Sequence, residues 1–140
     1  MILVDTSIWI DHLRASDERL ARLLEAGQVL VHPFVIGELA LGNLRNRDTV
    51  LNALQDMPQS SVATEPEVLR FIGEKDLFSQ GIGYIDAHLL AAVLLTPGSL
   101  LWTRDKRLLA ASVQFGIAEQ TDTKLIGVPN PPAKPDPKSS

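Results

Sequence analysis

The fold is decided by the first eleven residues, which read Met1-Ile2-Leu3-Val4-Asp5-Thr6-Ser7-Ile8-Trp9-Ile10-Asp11. Ile2–Val4 is apolar without alternation, which is typical of a strand buried on both faces of a parallel sheet. The run ends at Asp5, and Thr6 or Ser7 can cap a helix that follows. Because ligands bind at the carboxyl ends of the strands in open α/β sheets, Asp5 is placed for chemistry. Alternatively, it only favours the positive end of that helix.

Two later segments repeat the pattern of a short apolar run. Val29–Val31 and Leu100–Thr103 both predict buried strands, and the second is followed by Arg104-Asp105. Weaker patterns at Ser61–Ala63 and Leu125–Ile126 predict further strands. Since short strands alternate with helices, the sequence predicts an α/β fold. We expect a three-layer α/β/α sandwich with a central, mainly parallel sheet of four to five short strands.

The chain length predicts one domain. A chain of 140 residues can bury a core without disulfides or structural metals. Five of the nine prolines fall in the last twelve residues, a composition that does not favour a packed core. We therefore expect a single domain over residues 1–128 and a Pro-rich, disordered tail over residues 129–140.

Composition excludes several kinds of site. The chain contains no Cys, which excludes disulfide frameworks, thiolate metal sites and cysteine nucleophiles. Its three histidines show no zinc-binding spacing. The net charge of -4 argues against nucleic-acid binding through bulk electrostatics. It still allows an acidic metal pocket with a local basic rim, or a basic protein partner.

We expect no secretion signal and no membrane span. Asp5 and Asp11 interrupt the first apolar run, and no basic residue precedes it, unlike in a signal peptide. The longest apolar run, Leu89–Leu95, is too short to cross a bilayer. A cytoplasmic protein is therefore expected.

Two acids follow the clearest strands. If the strand at Ile2 is central, the strand at Leu100 lies on its far side, because right-handed crossovers must reverse direction to cover both faces of a sheet. Asp5 and Asp105 would then flank the crevice where the strand order reverses. The alternative role for Asp105 is that of a helix N-cap, which is common.

Two further acids, Glu38 and Asp86, lie early in apolar helices. Glu38 is either an exposed flank residue or a carboxylate aimed at the strand ends. Asp86 lies in the first turn of Tyr84–Leu95, which is apolar nearly all round and predicts a buried central helix. A buried carboxylate there needs a cation or further hydrogen-bond donors. His88, about 200° round this helix, is expected apart from Asp86, at the surface or the edge of the core.

Together the four acids favour a metal site. Clustered carboxylates repel one another unless they are protonated or hold cations. Without a Cys or His cluster the ligands are hard oxygens, which suit Mg²⁺ or Mn²⁺, and such a site hydrolyses phosphodiester bonds. Hydroxyl groups that can orient the carboxylates or bound waters belong to Thr6, Ser7 and Thr103.

Four segments stand in a fixed order over about residues 1–116. They are Met1-Ile2-Leu3-Val4-Asp5-Thr6-Ser7, Glu38-Leu39, Gly83-Tyr84-Ile85-Asp86-Ala87-His88-Leu89-Leu90-Ala91-Ala92 and Leu101-Trp102-Thr103-Arg104-Asp105. The ordered set resembles the PIN-domain ribonucleases and, more closely, the VapC-type toxins of bacterial toxin–antitoxin pairs. The resemblance implies a PIN-like sandwich.

The resemblance also implies a site, a cofactor and partners. It implies that Asp5, Glu38, Asp86 and Asp105 are the metal-binding acids of a Mg²⁺- or Mn²⁺-dependent endoribonuclease. It further implies a homodimer and a cognate antitoxin that covers the acidic pocket, often with an Arg. Candidate contacts to the RNA backbone, each with a solvated helix face as the alternative, are Arg104, Lys106, Arg107, Arg45 and Arg47.

Two other functions stay open. One is a Mg²⁺-dependent phosphotransfer domain with Asp5 as phosphoacceptor, which the sequence disfavours because Thr6-Ser7 offers no second acid and no Lys stands alone after a late strand. The other is a non-catalytic protein whose acidic cleft binds a basic partner. A Rossmann dehydrogenase is excluded, since no Gly-rich turn follows the first strand.

Overall fold

The computed structural model describes residues 1–119. The predicted strand at Leu125–Ile126, the domain boundary at residue 128 and the Pro-rich tail over 129–140 lie outside the described residues. In chain order the elements are β1 (Ile2–Val4), α1 (Thr6–Arg14), α2 (Glu18–Glu25), β2 (Val29–Leu30), α3 (Pro33–Ala40), α4 (Arg47–Asp56), α5 (Glu65–Glu74), a 3₁₀ turn (Leu77–Ser79), α6 (Tyr84–Leu95), β3 (Leu100–Trp102) and α7 (Lys106–Gln114).

The sheet is parallel and β1 is its central strand. Its order is β2-β1-β3, and Ile2 pairs with Val29 on one side and with Leu100 on the other. This confirms that the strand at Leu100 lies on the far side of β1 from β2. The carboxyl ends of β1 and β3 therefore lie side by side, and the residues that follow these strands meet at one edge.

Within residues 1–119 the sheet has one strand fewer than predicted. These residues contain three strands, whereas the sequence predicts four there, and the fifth predicted strand, at Leu125–Ile126, lies outside the described residues. The sheet is extended only by single parallel bridges, Val31 to Gln59 and Leu101 to Ala118. The first bridge lies before Ser61–Ala63, and the prediction of a strand there is wrong. The N–H of Ser61 donates to the side chain of Thr96 instead of to a neighbouring strand, and the capping box of α5 begins at Thr64. A single bridge is too short a ladder to make a strand.

Helices cover both faces of the sheet. Successive strand residues point to opposite faces, and all three residues of β1 are buried. Burial on both faces is the property of the central layer of an α/β/α sandwich. The fold class predicted from the sequence is thus confirmed.

The helix α6 is the central buried helix that its composition predicts. Ala87–Val93 is buried without interruption. The helix has 12 residues, and among residues 1–119 we find no helix with the length and apolar character needed to cross a bilayer.

His88 lies deeper in the molecule than we expect from the sequence. It is only 4% exposed and packs edge-on against Phe34 and Tyr84, with ring centroids 4.7 Å apart in each pair. His32, which is fully buried, completes this cluster. The cluster joins the beginning of α3 to the beginning of α6, the two helices that carry Glu38 and Asp86, and burial lowers the pKa of both histidines.

Candidate active site

Asp5 lies between β1 and α1. It occupies the N-cap position of α1, but its side chain caps no backbone N–H. Its Oδ2 instead accepts hydrogen bonds from Ser7 Oγ at 2.9 Å and from Thr103 Oγ1 at 2.7 Å. Its Oδ1 accepts none from residues 1–119. Asp5 is thus a buried carboxylate, 6% exposed, with one oxygen fixed by hydroxyls and one free for another partner.

Glu38 lies in the second half of α3. That helix begins with Pro33 in its first turn and with His32 Nδ1 accepting from the N–H of Phe34, which fixes where the helix starts. Thr6 Oγ1 donates to Glu38 Oε1 at 2.6 Å. The hydroxyl at the start of α1 therefore ties this half-buried carboxylate to the end of β1.

Asp105 begins α7 and is also linked to Asp5 through Thr103. It is the N-cap of α7, where its Oδ1 accepts from the N–H of Leu108 at 3.0 Å. Its own N–H donates to Thr103 Oγ1 at 3.0 Å, and this buried hydroxyl is the same one that donates to Asp5. Thr103 therefore links the two acids that follow neighbouring strands.

The charges of the other three acids raise the pKa of Asp86. Asp86 lies in the first turn of α6 and is partly buried. Burial, followed by the negative charges of Asp5, Asp105 and Glu38, raises its pKa to about 6, against a hydrogen bond from the Gly83 backbone that lowers it. The four carboxylates therefore interact electrostatically at one edge of the sheet.

The donor set fits a hard divalent cation. All four groups are carboxylates, and their mutual repulsion raises the free energy of the metal-free state. Within residues 1–119, however, no three acidic or histidine side chains are already arranged as a metal cage. An ion would have to draw these carboxylates together, and its positive charge would offset their mutual repulsion.

A cleft borders this group of acids on one side. It encloses about 560 Å³ between α1 and the end of α3. Glu38 lines it together with Arg45, and apolar side chains such as Leu13 and Leu39 form its wall. Asp5, Asp86 and Asp105 do not line it, so Glu38 is the one of the four acids that faces this cleft.

The five basic residues proposed as RNA contacts differ in their surroundings. Arg45, Lys106 and Arg107 are exposed, and Arg107 lies over Gly81, where an added Cβ would come within 2.6 Å of its guanidinium. Arg47 is exposed and donates to the carbonyl of Ala40. Arg104 differs from the others because it is held in ion pairs with two carboxylates.

Those two carboxylates belong to Asp11 and Asp17, and the sequence does not mark either of them as a residue of the site. Asp17 was recognisable as the start of α2, where its side chain accepts from the N–H of Leu20. Nothing local in the sequence pairs either acid with Arg104, which lies 93 positions from Asp11. Only the parallel packing of β1 beside β3 brings them together.

Comparisons with known proteins identify the family of the chain. The family model for the PIN domain matches residues 2–113. The chain is 52% identical over 118 residues to Ribonuclease VapC32 of Mycobacterium tuberculosis (strain CDC 1551 / Oshkosh), a match that covers 84% of this chain and 95% of the relative. Ribonuclease VapC32 of strain ATCC 25618 / H37Rv matches with the same identity and coverage. The chain therefore belongs to the PIN-domain family, and within it to the VapC-type toxins.

Proposed function

We propose that the protein is a metal-dependent endoribonuclease, the toxin of a type II toxin–antitoxin pair. The observation that carries this proposal is the set of hydroxyls that positions the acids: Thr103 joins Asp5 to Asp105, and Thr6 ties Glu38 to the end of β1. The charges of these three acids also raise the pKa of Asp86. A protein that only stabilises its fold has no use for this repulsion, whereas a cation site requires it. The relatives named as ribonucleases support the choice of RNA as the substrate.

The cation is Mg²⁺ or Mn²⁺, held by Asp5, Glu38, Asp86 and Asp105. When bound, it supplies an acidified water and neutralises negative charge on the phosphodiester. The protein's own hydroxyls prepare this site by orienting its carboxylates. Ser7 and Thr103 hold Oδ2 of Asp5, and Oδ1 is the oxygen of Asp5 that would hold the ion.

The substrate reaches the acids along a basic rim. Arg45 lines the cleft beside Glu38, and Lys106 and Arg107 lie in the first turn of α7, directly after Asp105. Such residues bind phosphates without reading sequence. A local rim of this kind compensates for the net charge of -4, which by itself repels RNA.

The same acidic pocket is proposed as the target of the antitoxin. A basic segment of that partner would be attracted by the four carboxylates and would compete with both metal and RNA. We further propose that the toxin acts as a homodimer in the cytoplasm.

RNA cleavage by the purified protein tests the proposal. A pool of cellular RNA is incubated with Mg²⁺ or Mn²⁺, with EDTA, and with the variants Asp86→Asn and Asp56→Asn. Asp56 is an exposed acid at the end of α4 and serves as the matched control. We expect discrete fragments from the wild type and from Asp56→Asn, and none with EDTA or from Asp86→Asn.

The other outcomes separate the alternatives. Cleavage that survives Asp86→Asn would refute the proposed site. Absence of cleavage together with tight Mn²⁺ binding would favour a non-catalytic protein that binds a basic partner through its acidic cleft.

A further inference from the structure

Arg104 connects three parts of the chain beside the group of acids. Its Nη1 lies 2.6 Å from Asp11 Oδ2, in the second half of α1, and its Nη2 lies 2.9 Å from Asp17 Oδ2, at the start of α2. The guanidinium also lies 5.8 Å from the ring centroid of Trp102, which is fully buried. The side chain is 24% exposed, so it is largely enclosed by these partners.

The backbone around Arg104 is held equally firmly. Its N–H donates to Ser7 Oγ at 3.3 Å, and Ser7 Oγ donates in turn to Asp5 Oδ2. On either side of Arg104, Thr103 and Asp105 are joined to each other and to Asp5 through the Thr103 hydroxyl. The turn between β3 and α7 is therefore linked to Asp5 through the hydroxyls of Ser7 and Thr103. The guanidinium of Arg104 links the same turn to Asp11 and Asp17.

We propose that Arg104 is a positioning residue for the metal site, which holds the turn before α7, and with it the carboxylate of Asp105, in place by bridging Asp11 and Asp17. This inference rests on the proposed function and replaces the expectation that Arg104 contacts the RNA backbone. Both Nη atoms of its guanidinium pair with carboxylates of the same chain, and a phosphate would have to displace these carboxylates.

The choice of Arg at this position follows from the geometry. A planar guanidinium can donate to two separate carboxylates at once while it lies beside an indole ring, whereas the ammonium of Lys is a point charge on a flexible stem. We therefore expect Arg104→Lys to keep the charge and lose much of the positioning.

Variants of Asp11 and Asp17, the acidic partners of Arg104, distinguish a positioning role from a contact with RNA. Removing an acid near bound RNA strengthens RNA binding by electrostatics, so Asp11→Asn and Asp17→Asn cannot impair an RNA contact by loss of charge. If Arg104 is a positioning residue, both variants nevertheless weaken the metal site. Asp17→Asn leaves the start of α2 intact, because Asn caps helices as well as Asp does.

The experiment measures Mn²⁺ affinity by calorimetry, and kcat and KM for RNA cleavage, on the full chain. The variants are Arg104→Gln, Arg104→Lys, Asp11→Asn and Asp17→Asn. We expect Arg104→Gln to lower both Mn²⁺ affinity and kcat about 10- to 100-fold, the usual range for residues that orient metal ligands, with little change in KM. The other three variants should show the same pattern with smaller losses.

Two comparison variants calibrate these readouts. Arg22→Gln removes a positive charge from the exposed face of α2, where Arg22 is 69% exposed, and should leave all three quantities unchanged. Lys106→Gln should raise KM without changing Mn²⁺ affinity, which is the behaviour of a phosphate contact. If Arg104→Gln fails to fold by circular dichroism, the milder Asp11→Asn and Asp17→Asn decide the question.

The outcomes separate this inference from the proposed function. If Arg104→Gln behaves like Lys106→Gln, or if Mn²⁺ affinity is the same in all variants, the positioning role is refuted while the nuclease stands. If the wild type binds Mn²⁺ without cleaving RNA, the affinities still decide the positioning role. A wild type that neither binds Mn²⁺ nor cleaves RNA overturns both.

Discussion

Replacing Asp86 with Asn should stabilise the metal-free protein at neutral pH while removing its activity. Asp86 is ionised there, although burial and the charges of Asp5, Asp105 and Glu38 oppose its ionisation. Asn has nearly the same shape, can still accept the hydrogen bond from the Gly83 backbone, and carries no charge. The substitution therefore removes a repulsion that the folded state carries and the unfolded state does not.

The magnitude follows from the pKa of Asp86. Its value rises from 3.8 to about 6 on folding, and each step of one in pKa corresponds to about 1.4 kcal/mol, which gives about 3 kcal/mol. Because Asp86 is only partly buried, solvent screening reduces this figure to about 1–2 kcal/mol. Since the folded-state pKa is raised, the penalty is absent below about pH 4, grows as pH rises towards 6 and is complete above it.

Urea unfolding in EDTA at pH 4 and at pH 7.5 measures this difference. We expect Asp86→Asn to exceed the wild type in its free energy of unfolding by about 1–2 kcal/mol at pH 7.5, with little difference at pH 4. Asp56→Asn, on an exposed helix end, should differ by less than about 0.5 kcal/mol at either pH. A variant that is less stable than the wild type at pH 7.5, or a difference that is equal at both pH values, would refute the reasoning.

Three further outcomes follow from the same site. Saturating Mg²⁺ or Mn²⁺ should raise the melting temperature of the wild type by several degrees, measured by a thermal melt, and raise that of Asp86→Asn much less; an equal rise in both would contradict a shared site. Thr103→Val should cost about 1–3 kcal/mol of stability in urea unfolding, because it leaves the N–H of Asp105 without its partner and removes one of the two hydrogen bonds to Oδ2 of Asp5, and should also reduce cleavage; unchanged cleavage would remove Thr103 from the site. Asp105→Asn should keep the cap of α7 and so change stability by less than about 0.5 kcal/mol, while Mn²⁺ affinity measured by calorimetry falls at least 10-fold; retention of that affinity would exclude Asp105 as a ligand.

The centre of the sheet was predictable because its determinants are local. Ile2–Val4 shows unbroken hydrophobicity and then stops at a carboxylate, so both its burial and the position of Asp5 follow from a few residues. The rule that crossovers are right-handed then fixes the place of β3. The edges of the sheet were less predictable. Gln59 and Ala118 each make one bridge, and a single bridge has no periodicity for a sequence pattern to reveal.

Contacts between residues that lie far apart in the sequence could not be predicted. His88 is buried because Phe34 and His32, from another helix, pack against it, and nothing in the composition of α6 indicates these neighbours. The sequence makes Arg104 a candidate contact to the RNA backbone, with a solvated helix face as the alternative, because it lies beside Asp105 together with Lys106 and Arg107. Its partners, Asp11 and Asp17, are brought to it by the pairing of β1 with β3. Local patterns fix which residues lie at the sheet edge, and tertiary packing decides what each of them contacts.

An acid that lies at the start of a helix can also belong to a functional site. Asp5 stands at a helix N-cap but does not cap, since both of its hydrogen bonds come from side-chain hydroxyls. Asp105 caps α7 with one oxygen and still contributes its charge to Asp86. A carboxylate has about four acceptor positions, so a cap uses only part of its capacity. Strand ends therefore can supply acids that both begin the next helix and contribute to a cation site, which explains how a fold of this size can hold four carboxylates at one edge of its sheet.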